Sequence, residues 1–180
     1  TPVCSSAASD VYKRQIPITE NDKLFNRSIL INPDGDIISI YDKIHMFDIT
    51  LKNGESYKES DFYSPGSELK ITKVLGHSVG HTICYDLRFP KLYRALAKKG
   101  SQIIVVPSAF THTTGKAHWH SLIKARAIEN GVFILAPNQW GVNNEKRVTY
   151  GHTLIVDPWG ETLAEAEDGE MIIAAELDLN

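Results

Sequence analysis

The chain has 180 residues, enough for one domain with a sizeable core, and its 42% hydrophobic and 23% charged content is ordinary for a globular protein. A net charge of −3 gives no reason to expect nucleic acid or an anionic membrane as a partner, and no apolar run approaches the roughly 18 residues of a membrane span. The two cysteines cannot form a disulfide framework, so we expect a reducing compartment, by default the cytoplasm.

The first 15 residues differ from the rest of the chain. They show neither helical nor strand periodicity, and they lack the basic start and apolar stretch of a signal peptide. We therefore predict a non-native or disordered leader over residues 1–15 and a partial domain over residues 16–180. The carboxyl end also looks truncated, because no closing helix follows a predicted strand at 171–177.

Strands and helices alternate along the remaining chain. An apolar run followed by a turn signal predicts a hairpin, and the stretch 47–67, which lacks periodicity, predicts a long loop. Helical stripes and continuous β-branched runs predict the later elements. The predicted strands are 28–31, 36–41, 74–83, 103–106, 132–135, 153–156 and 161–164, and the predicted helices are 90–99 and 117–130. This order of elements indicates an α/β layered fold.

Cys84 lies where a predicted strand turns into a helical segment. A thiol at such a turn is well placed to attack a substrate, and the backbone N–H of Tyr85 then points at the developing oxyanion. A lone cysteine is more often a buried structural residue. The residues around this one favour the nucleophile.

Two charged residues upstream complete the candidate site. Lys43 follows the predicted strand 36–41, and it could donate to the oxyanion or lower the pKa of the thiol. Glu59 lies in the long loop, where it could position the lysine or relay protons. Either residue alone is more simply a solvated surface group, so the prediction depends on their combination with Cys84.

The segments that carry these three residues resemble the nitrilase, or carbon–nitrogen hydrolase, superfamily. Lys43 precedes Glu59 by 16 positions and Cys84 by 41, which is the spacing of the amidase branches. The resemblance runs from about residue 25 to residue 179. It rests on segments 41–48, 59–60, 65–66, 83–90, 107–110, 114–119, 126–130, 150–152 and 157–160.

The resemblance implies a nitrilase-like four-layer α-β-β-α sandwich, truncated in this chain, and a Glu-Lys-Cys catalytic set. Cys84 would be the nucleophile, Lys43 the oxyanion-stabilising lysine and Glu59 the second, bracing glutamate, and the N–H of Tyr85 would complete the oxyanion hole. Ammonia leaves after attack on an amide, and water then hydrolyses the thioester without any metal or cofactor. Nitrilase-like proteins commonly associate, so a homodimer or higher homo-oligomer is expected.

One departure from the family pattern concerns the general base. The family places it in the first strand–helix unit, further upstream than the 42 residues before Lys43 allow, and Glu20 is not in a matching context. We therefore expect the chain as given to be nearly inactive. A catalytically incomplete fragment that serves as an assembly unit is the alternative from a different functional class.

The later segments look most like the deaminated glutathione amidase branch. The ω-amidase branch is a relative, and both take an amide near a carboxylate, for which Arg88 or Arg147 could be the counter-charge unless it forms a structural ion pair. Trp140 departs from the first branch and could narrow the substrate pocket. Glu129 either pairs with Arg126 or lies near the nucleophile and the substrate. N-carbamoyl hydrolysis is the other enzymatic alternative.

The seven histidines raise the question of a metal site. His118 and His120 are close in sequence, as are His77 and His81. Neither pair has the nearby cysteine or carboxylate ligands that would complete a zinc site. The second pair falls around a strand, where positions four apart are well separated. The sequence therefore predicts no metal site.

Overall fold

The computed structural model describes residues 12–50, 54, 56–144 and 147–179. Its strands are β1 (Tyr12–Glu20), β2 (Lys23–Ile31), β3 (Ile37–Asp42), β4 (Asp48–Thr50), β5 (Ser56–Lys58), β6 (Ile71–Val74), β7 (His77–His81), β8 (Ile103–Val105), β9 (Phe133–Ala136), β10 (Trp140–Asn144), β11 (Arg147–Tyr150), β12 (Leu154–Val156) and β13 (Thr162–Glu165). Its α-helices are α1 (Pro90–Lys98) and α2 (His112–Asn130), and two short 3₁₀ turns cover Glu59–Asp61 and Cys84–Arg88.

The first sheet is antiparallel, in the order β1–β2–β3. Its β2–β3 pair confirms the hairpin predicted from the turn signal at residues 32–35. β1 begins at Tyr12, before the domain boundary that we predicted at residue 16, so regular structure extends into the predicted leader. Residues 1–11 lie outside the described residues, and the nature of that segment stays a prediction.

The second sheet has six strands in the order β13–β12–β9–β8–β7–β6. It is mixed, because β7–β8 and β8–β9 are parallel while the outer pairs are antiparallel. The single strand predicted over 74–83 is wrong. Leu75 and Gly76 both have positive φ, so the chain turns there and β6 pairs back on β7.

The two helices start and stop at recognisable signals. α1 begins with Pro90 in its first turn, where the missing N–H costs no hydrogen bond. α2 begins five residues before its predicted start, because the Thr111 hydroxyl accepts from the N–H of Thr114 and caps the helix. It ends at Gly131, whose φ of +62° is the left-handed conformation that favours glycine.

The six-stranded sheet has an apolar core on each face. Both helices pack on one face, where Leu96, Trp119 and Ile123 meet Ile104 and Ile134. Strand residues that point the other way form the second core, which is covered by Ile173, Ala175, Leu177 and Leu179. The segment 171–177 is therefore extended, and its alternate side chains contact the sheet. The strand predicted there is wrong, because the segment forms none.

The α/β class predicted from the sequence is confirmed. A 2.7 Å hydrogen bond between the hydroxyls of Ser39 in β3 and Thr72 in β6 joins the two sheets. The described residues thus contribute one helical layer and two sheets, and the second helical layer of the predicted four-layer sandwich has no counterpart among them. Within the same residues, neither helix is long and apolar enough to span a membrane.

Within the stretch 47–67, where we predicted a long loop, the described residues 48–50 and 56–61 have regular structure. β4 and β5 form a short hairpin, and the 3₁₀ turn Glu59–Asp61 follows it directly. The carboxylate of Asp48 accepts hydrogen bonds from the N–H and hydroxyl of Ser60, and the hydroxyl contact is the larger cause that lowers the pKa of this carboxyl. These contacts fix the backbone on either side of Glu59.

Candidate active site

Cys84 occupies a strained turn. It opens the 3₁₀ turn Cys84–Arg88 with a φ of +46°, a left-handed conformation that a residue with a Cβ rarely adopts. Its N–H donates to the carbonyl of Pro107 at 3.0 Å, at the end of the neighbouring strand β8. The predicted sharp turn at this residue is confirmed, and the fold holds it in place.

The predicted site residues Cys84, Lys43, Glu59 and Tyr85 line one cavity of about 640 Å³. The structure thus brings together Lys43, which follows β3, Glu59, in the 3₁₀ turn after β5, and the 3₁₀ turn after β7, which holds Cys84 and Tyr85. The other described residues that line the cavity are Asn26, Phe47, Ser56, Tyr57, Lys58, Phe62, Tyr63, Ala109, Phe110, Thr111, Thr114, Gln139, Asn143 and Arg147.

A buried ion pair forms one wall of this cavity. The Nζ of Lys43, a residue only 2% exposed, contacts Oε2 of Glu59. The same oxygen accepts the N–H of Phe47 at 2.7 Å, and the other carboxylate oxygen accepts the amide of Asn26 at 2.9 Å. A buried ion pair needs such further hydrogen bonds to offset the loss of water. Glu59 therefore holds the lysine in a fixed position, which is the bracing geometry that the resemblance implied.

The thiol of Cys84 is less acidic than we expected. Burial raises its pKa, whereas the positive charge of Lys43 and the N–H of Ala109 lower it, and the net pKa lies above the ordinary value. Lys43 thus acts in the predicted direction but does not outweigh burial. The thiolate fraction at neutral pH is small in the free chain, so the thiol needs a base to become a nucleophile.

Removing the charge of Lys43 is expected to slow alkylation of Cys84. In Lys43→Met the thiol pKa rises further, because an attractive charge is lost and Glu59 is left unpaired. We expect iodoacetamide to label Cys84 more slowly at pH 8, as followed by peptide mass, since a higher thiol pKa leaves a smaller fraction of reactive thiolate. Lys58→Met is the control, because Lys58 lines the cavity but is exposed. Equal slowing in both variants would contradict the prediction.

Asp86 joins the segments that carry Lys43 and Cys84. Its fully buried carboxylate accepts the hydroxyl of Tyr41 at 2.7 Å and the N–H of Ile83 at 2.9 Å on one oxygen. The other oxygen accepts the N–H of His45 at 3.1 Å and contacts its Nδ1 at 2.7 Å. Burial and the charge of Asp86 raise the pKa of Tyr41. We did not single out Asp86 from the sequence, because Ile83 has no side-chain acceptor and an acid three residues after it is not a capping-box signal.

Gly66 permits a close backbone approach beside Lys43. Its N–H donates to the carbonyl of Lys43 at 2.9 Å, and a Cβ at this position would lie 2.3 Å from the carbonyl oxygen of Asp42. We expect Gly66→Ala to lower the free energy of unfolding by about 1–3 kcal/mol, the usual cost of overpacking, in urea titrations. Ser67→Ala, at the exposed neighbouring position, is the control. A Gly66→Ala variant as stable as the parent would show that Asp42 moves away freely.

The two candidate arginines differ in where they lie. Arg147 lines the cavity, where Nη2 donates to the carbonyl of Ala109 at 3.2 Å and the buried Nε has no hydrogen-bond partner in the described part of the chain. Arg88 is not among the lining residues. Its guanidinium lies over the ring of Phe110 and contacts the His118 ring at 3.2 Å. Of the pair, Arg147 is the one available to an anionic ligand.

The structure places the two other predicted substrate contacts, Glu129 and Trp140, away from the cavity. Glu129 lies on the exposed side of α2 and pairs with Arg126 at 2.9 Å. Residues three positions apart on a helix are neighbours, and this pairing was the alternative to a place near the nucleophile. Trp140 is 47% exposed and donates its indole N–H to Asp168 at 3.2 Å. Neither residue lines the cavity, so neither contacts a ligand bound beside Cys84 in this geometry.

Known proteins are similar to this chain in sequence. A deaminated glutathione amidase of Yersinia enterocolitica is 43% identical over 158 residues, which is 87% of this chain and 55% of the relative. Omega-amidase NIT3 of Saccharomyces cerevisiae is 41% identical over 159 residues, 88% of this chain and 55% of the relative. The chain therefore spans about half the length of the relatives it matches.

The fold is shared as well. The crystal structure of Saccharomyces cerevisiae Nit3, a member of branch 10 of the nitrilase superfamily, superposes with a TM-score of 0.78 at 36% identity, covering 87% of this chain and 55% of that one. The carbon–nitrogen hydrolase family model matches residues 6–180, nearly the whole chain. Taken with the strained cysteine turn and the braced lysine, this match shows that the chain belongs to the carbon–nitrogen hydrolase family.

Proposed function

We propose that the chain is the nucleophile-bearing part of a thiol-dependent amidase that cleaves the carbon–nitrogen bond of a small, carboxylate-bearing amide and releases ammonia. The observation that carries the proposal is a single cavity that holds Cys84 on its strained turn beside the Lys43–Glu59 ion pair. The amidase names of the relatives support the same reaction class.

The reaction follows from the placement of these groups. The sulfur of Cys84 attacks the amide carbonyl carbon, and the carbonyl oxygen becomes an oxyanion. The ammonium of Lys43 and the N–H of Tyr85 donate to that oxygen, as preorganised donors that stabilise the charge where it develops. The C–N bond then breaks, ammonia leaves with a proton from the base, and water hydrolyses the thioester to a carboxylic acid and the free thiol.

The base is the missing part of this scheme. Glu59 is the only carboxylate among the described residues that line the cavity, and its oxygens already accept from Lys43, Phe47 and Asn26. We therefore propose that a further carboxylate takes the thiol proton in the whole protein, and that the chain as given releases ammonia slowly or not at all.

Arg147 points to the substrate class. A guanidinium in the cavity of the nucleophile, whose buried Nε has no partner among the described residues, matches a carboxylate, which it would bind through charge-assisted hydrogen bonds. A substrate like deaminated glutathione, which has an amide and a carboxylate, fits this site, and its leaving group would be the amine of a dipeptide in place of ammonia. The ω-amidase reaction is the alternative with the same requirement, as the Saccharomyces cerevisiae relative indicates. N-carbamoyl hydrolysis would release carbon dioxide as well as ammonia.

An activated ester tests this proposal without requiring the missing base. The mono-p-nitrophenyl ester of glutaric acid carries a carboxylate, p-nitrophenyl pentanoate is its neutral counterpart, and either ester transfers an acyl group to a thiolate while p-nitrophenolate leaves unaided. We expect the glutarate ester to acylate Cys84 at least about tenfold faster, because charge-assisted hydrogen bonds contribute about 1.5–3 kcal/mol. Absorbance follows the release, and intact mass identifies the acylated chain.

Arginine variants assign the preference to one side chain. Arg147→Met is expected to lose the preference for the glutarate ester and to retain the rate with the pentanoate ester, whereas Arg88→Met keeps both. If only Arg88→Met loses the preference for the glutarate ester, Arg88 and not Arg147 binds the carboxylate. Chain that is never acylated by either ester would favour the non-catalytic assembly unit over the amidase.

Location and assembly are narrower proposals. A thiol nucleophile has to stay reduced, which supports a cytoplasmic setting. We also propose that the whole protein is a homodimer or higher homo-oligomer. Light scattering coupled to size exclusion measures the mass, and a monomer at micromolar concentration would exclude this assembly.

A further inference from the structure

A cluster of metal-binding side chains lies away from the cavity. His120, His152 and Glu165 come from α2, the β11–β12 connection and the last residue of β13, and their ligand atoms all lie within 4.8 Å of one another. Oε1 of Glu165 is 2.7 Å from Nε2 of His120 and 2.9 Å from Nδ1 of His152. None of the three lines the cavity beside Cys84.

The fold holds this cluster in place through buried neighbours. The indole N–H of Trp119, a fully buried residue next to His120, donates to the carbonyl of His152 at 2.8 Å. His152 itself has a φ of +56°, a left-handed conformation kept by the surrounding contacts. Glu165 is set opposite the fully buried Leu154 in the β12–β13 register. The three ligands therefore belong to well-packed elements, unlike side chains that meet by chance on a surface.

We propose that His120, His152 and Glu165 bind a divalent transition-metal ion, with zinc as the best match. Two imidazole nitrogens and one carboxylate oxygen form a known three-ligand zinc set that leaves a fourth position open. Ligands about 2.0–2.2 Å from a tetrahedral zinc ion lie roughly 3.3–3.6 Å apart, so small side-chain rotations suffice from the distances seen here. The side chains are 28–35% exposed, which gives the ion access and leaves room for water as the fourth ligand.

The ion would bind between the oxygen of Glu165 and one ring nitrogen of each histidine, in place of the contacts that join these atoms here. The bound ion would then join α2 to β13 and to the β11–β12 connection.

The sequence predicted no metal site because the histidines were considered by their spacing along the chain. His120 was compared with His118, yet its partners lie 32 and 45 positions further on, His152 in a connection and Glu165 on a strand. His118 instead contacts Arg88, as described above. Only the packing of α2 against β11 and β12, together with the pairing of β13 on β12, brings the ligands together.

Zinc titration by calorimetry tests the site directly. The chain is used untagged and in a Cys4→Ser/Cys84→Ser background, because thiolates are strong zinc ligands in their own right. We expect one zinc ion per chain and a melting temperature that rises with zinc concentration, as binding to the folded state requires. His120→Gln and Glu165→Gln are each expected to weaken binding by about tenfold or more, since even changes outside the ligand shell cost 10–100-fold.

Matched controls decide between a built site and ordinary surface histidines. His118→Gln, an exposed position on the same helix, should leave zinc affinity within about twofold of the background chain. His152→Asn is the third ligand variant, because asparagine tolerates the left-handed backbone. The site is refuted if the background chain binds no zinc, or if His118→Gln weakens binding as much as His120→Gln does. The inference is independent of the proposed amidase reaction, because its measurements do not involve Cys84.

Discussion

Replacement of Cys84 by alanine is expected to abolish acylation by both p-nitrophenyl esters. In the described part of the chain Cys84 is the only thiol, so in a Cys4→Ser background the release of p-nitrophenolate should fall by about a hundredfold or more, to the rate of the uncatalysed reaction. Intact mass should show no acylated chain. Residual release that persists with an acyl adduct elsewhere would show that another nucleophile lines the cavity, and the assignment of Cys84 would fail.

A matched pair at the same position tests the strained turn separately from the chemistry. Cys84→Ala and Cys84→Gly both lack the sulfur, but only glycine adopts a φ of +46° without steric cost. We expect Cys84→Gly to be more stable than Cys84→Ala by about 1 kcal/mol in urea unfolding. A left-handed conformation costs about 1–2 kcal/mol for a residue with a Cβ, and the greater entropy of glycine in the unfolded chain offsets part of this difference. Equal stability would show that the turn is relaxed.

The elements that the sequence predicted well are those fixed by local signals. α1 begins at Pro90 and ends before Gly100. β8 is a β-branched run and β9 an apolar run, and both are buried on both faces, so neighbouring residues suffice to define them. The strand predicted over 74–83 failed because Leu75 adopts a left-handed conformation that its identity does not indicate. Segment 171–177 has the alternation of a strand because its side chains pack on a sheet, although its backbone joins no strand.

The residues of the candidate site also differ in whether local sequence or packing between distant segments determines their place. Lys43, Glu59 and Cys84 were found because their segments form a recognisable set, and the structure places all three in one cavity. Asp86 was overlooked and Glu129 misplaced because a side chain's partner depends on packing between distant segments. Asp86 reaches across 45 positions to Tyr41, whereas Glu129 takes the nearest cation on its own helix.

Replacement of Asp86 by alanine is expected to lower the free energy of unfolding by about 3–5 kcal/mol, the usual cost of breaking a buried, fully paired charge network. The hydroxyl of Tyr41 and the N–H groups of His45 and Ile83 would each lose an acceptor inside the core, and each unpaired group adds its own desolvation penalty. Asp86→Asn should lose about half as much, because its amide oxygen still accepts from Tyr41 and Ile83. Urea unfolding followed by circular dichroism measures these differences.

Substitution of Asp86 should also disturb the site. Its carboxylate holds Tyr41 and His45, which lie on either side of Lys43, and it holds Ile83, which directly precedes Cys84. In Asp86→Asn, which keeps most of the network, we expect acylation of Cys84 by the glutarate ester to slow by about tenfold, as small displacements of reacting groups can cost that much or more. Asp48→Ala is the matched control, since this carboxylate also holds a turn near Glu59 but is exposed. If Asp86→Ala is no less stable than Asp48→Ala, the buried carboxylate does not join the two segments, and Lys43 and Cys84 must be held together by the sheets alone.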